Sequence, residues 1–152
     1  MARTTLTGAE GVKAAVGSPL GESGWRTITQ EAVNQFADAT GDHQWIHVDP
    51  ERAKDGPFGG TIAHGYLTLS LAPTLLSEVV ELDGLKMGVN YGCNKVRFIS
   101  PVPVGKAVRM SGTLAGADDV PDGVQATIDL TFEVEGIDKP ACVAQVVYRW
   151  LF

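Results

Sequence analysis

From Gly123 to Glu135 apolar and polar residues alternate without interruption: Val124, Ala126, Ile128, Leu130, Phe132 and Val134 stand between Gln125, Thr127, Asp129, Thr131 and Glu133. A period of two over this length predicts a strand with one buried and one wet face. Met87–Ser100, Ala107–Ala117 and Ala141–Phe152 are also of strand length, and Gly, Pro and Asp separate them. Four long strands joined by short turns predict an antiparallel sheet. Trp25–Ile28 reads as a short early strand.

Upstream of Gly84 the period is helical. Thr29 is placed to cap a helix, Glu31 sits in its first turn, and Ala32, Val33, Phe36, Ala37 and Ala39 follow helical spacing until Gly41. Asp42 therefore opens a loop just past a helix C-terminus. Asp49 followed by Pro50 predicts a second short helix, and Gly56–Gly60 a flexible loop. From Gly65 to about Leu82 a Leu-rich run is apolar over most of its circumference, which predicts a buried helix bent at Pro73. Gly8–Leu20 is weakly patterned, so residues 1–20 are expected to form an N-terminal arm with one helical turn. A long apolar helix needs a curved sheet around it, which predicts an α+β fold. Without repeats or linkers, residues 1–152 are expected to form a single domain.

Composition narrows the function classes. A chain of 152 residues buries a core without metal or disulfide staples. Its net charge of −6 argues against a nucleic-acid partner. No leader pattern occupies Met1–Ser18, and no run approaches the roughly 20 apolar residues a membrane helix needs, so a cytoplasmic protein without membrane insertion is expected. Cys93 and Cys142 lie in strand-like segments without metal spacing, and both are expected to be buried, reduced thiols.

The chemistry concentrates in two segments, Gly41–Pro50 and Ile62–Leu67. Asp42 and His47 put a carboxylate and an imidazole five residues apart, a pair able to hold and polarise a water. Taken alone, this spacing is more often an ordinary turn. His64-Gly65 opens the apolar helix, where first-turn amides are unpaired donors at the positive end of the helix dipole and glycine permits close approach. Such amides suit the oxygen of a thioester or enolate. His43, His47 and His64 match no zinc spacing, so the acid–base reading ranks above a metal site. Neither a dinucleotide fingerprint nor a nucleophile elbow occurs. Lys95, Arg97, Lys106 and Arg109 give one region a basic bias; they are either solvated strand faces or a landing strip for a phosphorylated carrier.

Together, Phe36-Ala37-x2-Thr40-Gly41-Asp42-x4-His47-x-Asp49-Pro50 and Ile62-Ala63-His64-Gly65-Tyr66-Leu67 resemble the MaoC-like, (R)-specific enoyl-CoA hydratases of the hydratase 2 type. Tyr66–Leu71 and Asn90–Phe98 look like the NodN-like branch, and the likeness spans roughly Ile28 to Arg109. The resemblance implies a hot-dog fold and reversible hydration of trans-2-enoyl-CoA to (3R)-3-hydroxyacyl-CoA, without metal or redox cofactor. It implies that Asp42 and His47 activate the water and move the protons, and that the Gly65 amide holds the thioester oxygen. Many of these hydratases carry a supporting serine eight residues after that glycine. Pro73 stands there in this chain, leaving Ser70 or Thr74 to supply a hydroxyl and His64 as further support. Lys95 and Arg97 become candidate contacts for the CoA phosphates. A homodimer formed through sheet edges is expected, the long apolar final strand needing cover. Two other readings stay open: a hot-dog acyl-CoA thioesterase, and a non-catalytic module binding acyl-CoA or acyl-carrier protein.

Overall fold

The computed structural model describes residues 3–152. In chain order it contains β1 (Thr4–Thr7), α1 (Gly8–Ala14), β2 (Pro19–Glu22), β3 (Arg26–Thr27), α2 (Gln30–Thr40), α3 (Trp45–Val48), α4 (Pro50–Ala53), α5 (Gly65–Ser70), α6 (Ala72–Val79), β4 (Val80–Asp83), β5 (Met87–Phe98), β6 (Ala107–Val120), β7 (Gly123–Val134) and β8 (Cys142–Leu151). The main sheet runs β2-β6-β7-β8-β5 with β3 also on β6, and all its pairings are antiparallel. The even members of β7 and β8 (Val124 to Val134, Cys142 to Trp150) point to one face and close over Leu75, Leu76 and Val79 of α6. This is the expected hot-dog arrangement, a sheet around a central helix.

Local signals hold at the start of the chain's functional half. The Thr29 hydroxyl accepts from the Ala32 amide at the α2 N-terminus, and Gly41 ends that helix at φ 84°, a left-handed conformation that favours glycine. The Asp49 carboxylate caps α4 by accepting from the Arg52 amide, with Pro50 at its first position. A second apolar cluster (Ile28, Val33, Ala63, Val102, Val108, Val134) packs α2 against the segment before α5. That packing brings the two motif segments together.

Several expectations change. The run from Gly65 is not one helix to Leu82: it breaks at Leu71, restarts as α6 with Pro73 in its first turn, and ends at Val79. A proline there sacrifices only a donor that has no intrahelical acceptor. Val80–Asp83 is a strand, paired parallel with β1. Residues 4–22 are no loose arm, since β1, α1 and β2 are ordered elements and Val12 is fully buried. Nor is the helix covered all round: Tyr66, Ser70, Pro73, Thr74 and Ser77 are exposed.

The final strand is not an edge either. β8 lies between β7 and β5, and β5 is the open edge, exposed along nearly its whole length. Cys93 is therefore exposed rather than buried, because it lies on the uncovered stretch of that edge strand. Cys142 is buried as expected, and that burial pushes its thiol up to about 11. No helix among the described residues is long and apolar enough to cross a membrane.

Candidate active site

His47 sits in α3, a four-residue helix where an irregular loop was expected. It is buried at 7% exposure, and its Nδ1 lies 2.7 Å from the Ile62 carbonyl. A carbonyl only accepts, so Nδ1 donates to it and Nε2 is the nitrogen left for a substrate or water. The Ile62 amide in turn donates to the Ile46 carbonyl at 3.0 Å. These two bonds lace the segment around His47 to the one leading into α5.

His64 stands immediately before α5, 2% exposed. Its ring stacks on that of His47, centroids 3.9 Å apart and planes 23° off parallel, with Phe36 of α2 4.8 Å away on it. Its Nε2 donates to the Asp42 backbone carbonyl at 3.0 Å and lies 3.9 Å from that residue's carboxylate. The other nitrogen, Nδ1, is buried and has no hydrogen-bond partner among the described residues. His64 thus anchors the Asp42 loop through that residue's carbonyl.

One polar atom each of Asp42, His47 and His64 falls within 4.8 Å of the others. Two groups that share a water, each about 2.8 Å from it, stand at most about 5.6 Å apart, so the separation is short enough for one water to bridge. A metal ion fits poorly: the in-plane lone pairs of near-parallel rings run side by side, whereas ligands must converge on an ion about 2.0–2.1 Å away. The Asp42 carboxylate is half-exposed and accepts from the Gln44 amide at 3.4 Å. His43 points elsewhere; its hydrogen bond to Asp38 raises its pKa above the ordinary value.

A cavity of about 260 Å³ opens beside His47, lined also by Gly65, Thr68, Phe58, Phe98 and Val102. Gly65 is the first residue of α5. A β-carbon there would lie 3.0 Å from two ring atoms of Phe98, so the glycine makes room for Phe98 as well as for a ligand. Gly65→Ala keeps the amide donor but crowds Phe98 and the cavity, and by displacing that amide it is expected to lower turnover about a hundredfold; Phe98→Leu in the same chain should not restore it. Full restoration in a steady-state assay would mean that the glycine serves packing alone.

The remaining candidates lie apart. The Ser70 hydroxyl donates to the Leu67 carbonyl and faces a different cavity, shared with Pro73 and Tyr148. Thr74 is exposed. Thr68, two residues before Ser70, and Ser100 are the hydroxyl residues that line the His47 cavity, and sequence reasoning passed both over. Lys95 and Arg97 pair with Gln145 and Val143, whereas Val96 and Phe98 pair with the core-facing Ala144 and Cys142. The two basic side chains therefore project from the opposite face of the sheet. Arg109 is engaged by Glu133 and Glu22, with Glu133 foremost in raising its pKa.

Residues 12–135 match the family described as MaoC like domain. The chain belongs to the MaoC-like dehydratase family. Among its relatives, 3-hydroxyacyl-thioester dehydratase Z of Mycobacterium tuberculosis is 59% identical over 91% of this chain and 92% of its own. Nodulation protein N of Rhizobium leguminosarum bv. viciae is 44% identical, covering 88% and 84%. Among solved structures, the (R)-hydratase from A. caviae involved in PHA biosynthesis superposes with a TM-score of 0.72 at 24% identity, over 88% and 94% of the two chains. That likeness shows the same hot-dog fold for this MaoC-like chain.

Proposed function

We propose that this MaoC-like protein adds water reversibly to trans-2-enoyl-CoA, giving (3R)-3-hydroxyacyl-CoA. The observation that carries the reading is the meeting of Asp42 and His47 within reach of one water, beside a cavity that Gly65 also lines. In the forward direction an O–H bond of the water breaks and its oxygen bonds to C3. The C2=C3 electron pair shifts toward the thioester oxygen, and C2 then takes a proton. One member of the Asp42–His47 pair receives the water's proton and the other delivers a proton to C2. The Gly65 amide stabilises the charge that gathers on the thioester oxygen. His64 positions Asp42 through its backbone carbonyl. The chemistry needs no metal or redox cofactor.

The test is a spectrophotometric assay with crotonyl-CoA and a longer enoyl-CoA, combined with a thiol reagent. Loss of conjugated enoyl absorbance without thiol release supports hydration. Thiol release makes the protein a thioesterase, and tight binding without turnover makes it an acyl-CoA or acyl-carrier-protein binding module.

Residues 1–152 form one catalytic unit in this reading, and the free thiols Cys93 and Cys142 accord with work in the cytoplasm. The working form is a homodimer paired through β5. That strand leaves backbone groups unpaired and exposes Met87, Val89, Tyr91 and Phe98, with Tyr66 beside them, a combination that natural monomers avoid. Sedimentation at micromolar concentration should show a dimer, and Val89→Lys should shift it toward monomer. A stable wild-type monomer would contradict the pairing.

A further inference from the structure

Gln30, the first residue of α2, uses its whole side-chain amide in reaching across the fold. Its Nε2 donates to the backbone carbonyl of His47 at 2.7 Å and to Asn34 Oδ1 at 2.9 Å. Its Oε1 accepts from the Thr61 hydroxyl at 2.7 Å. The His47 carbonyl accepts only, so it decides which way the amide faces, and the Thr61 hydroxyl then completes the set. Thr61 is 8% exposed, and its own carbonyl accepts from the Val104 amide at 2.9 Å.

The backbone of His47 is thereby held from one side by Gln30, while its ring is held from the other by the Ile62 carbonyl. A short helix of four residues has little stability of its own, so α3 depends on such outside bonds to keep His47 in place. We infer that Gln30, locked by Thr61, is a positioning residue that fixes the His47 imidazole for proton transfer. This rests on His47 being the acid–base histidine of the proposed reaction. Misplacement of a reacting group by about 1 Å costs on the order of 100-fold in rate, which sets the scale.

The test uses the full chain and four variants. Gln30→Met keeps the length and helix propensity of the side chain but removes its amide. Thr61→Val removes the hydroxyl at equal size, and Thr61→Ser retains it. Gln35→Ala, on the exposed side of the same helix, is the control. Gln30→Met is expected to lower kcat with crotonyl-CoA roughly 10- to 100-fold and leave KM nearly unchanged. Thr61→Val should lower it less, Thr61→Ser should restore it, and the Gln30→Met/Thr61→Val pair should be no worse than Gln30→Met alone.

The second readout does not depend on activity: the Cε1–H NMR signal of the His47 ring should shift or broaden in Gln30→Met and stay put in Gln35→Ala. An unmoved ring signal overturns the inference, as does an unchanged kcat in an active enzyme. If the wild type turns over no enoyl-CoA, the proposed reaction fails, and the ring signal alone decides whether Gln30 positions His47.

Discussion

His47→Gln and Asp42→Asn are each expected to reduce hydration by about 100- to 10,000-fold, the range that a positioned acid or base contributes. The two should be far from additive, because each group works on the same water. Folding should survive in both. Gln offers a side-chain nitrogen toward the Ile62 carbonyl, which otherwise accepts from His47 Nδ1 at 2.7 Å. The Asp42 side chain is half-exposed and makes only long contacts, 3.4 Å to the Gln44 amide and 3.9 Å to His64 Nε2. Steady-state rates on variants whose circular dichroism and melting match the wild type check this. Full activity in both would remove these residues from the mechanism.

Phe132→Ala is expected to cost roughly 3–5 kcal/mol of folding free energy. Phe132 is fully buried on the core face of β7, in the cluster that holds Leu75, Leu76 and Val79 of α6. Deleting its ring removes that contact and leaves a cavity that a close-packed interior refills only in part. Denaturant unfolding of the two proteins gives the difference directly. A loss below about 1 kcal/mol would place the centre of the core elsewhere.

What was legible in the sequence was local. Thr29, Gly41, Asp49 and Pro50 act through neighbours within a few residues, and the alternation of Val124 to Val134 reports a face directly. Periodicity could not show that Val80–Asp83 leaves the helix to pair with Thr4–Thr7, because that choice depends on a strand more than seventy positions earlier. Nor could it show that β5 would be the open edge, which follows from the order of the strands and not from their composition.

At the site, Asp42, His47 and Gly65 stood out by residue type and spacing. The stacking of His64 on His47, the Ile62 carbonyl behind that ring and the reach of Gln30 to Thr61 are tertiary contacts with no local signal. Lys95 and Arg97 show the converse. Charge bias left them as solvated strand faces or candidate phosphate contacts, and strand alternation sets them on the far face of the sheet from the His47 cavity.

Water addition to a carbon–carbon double bond at the Asp42–His47 pair, with the thioester left intact, is the step on which the proposed reaction stands. Mass spectrometry of crotonyl-CoA after incubation with the wild-type protein, followed by chiral analysis of the acyl group, tests it most directly. The expected product is a thioester heavier by one water, with the hydroxyl at C3 in the R configuration. Free CoA with crotonic acid, or substrate returned unchanged, would contradict it.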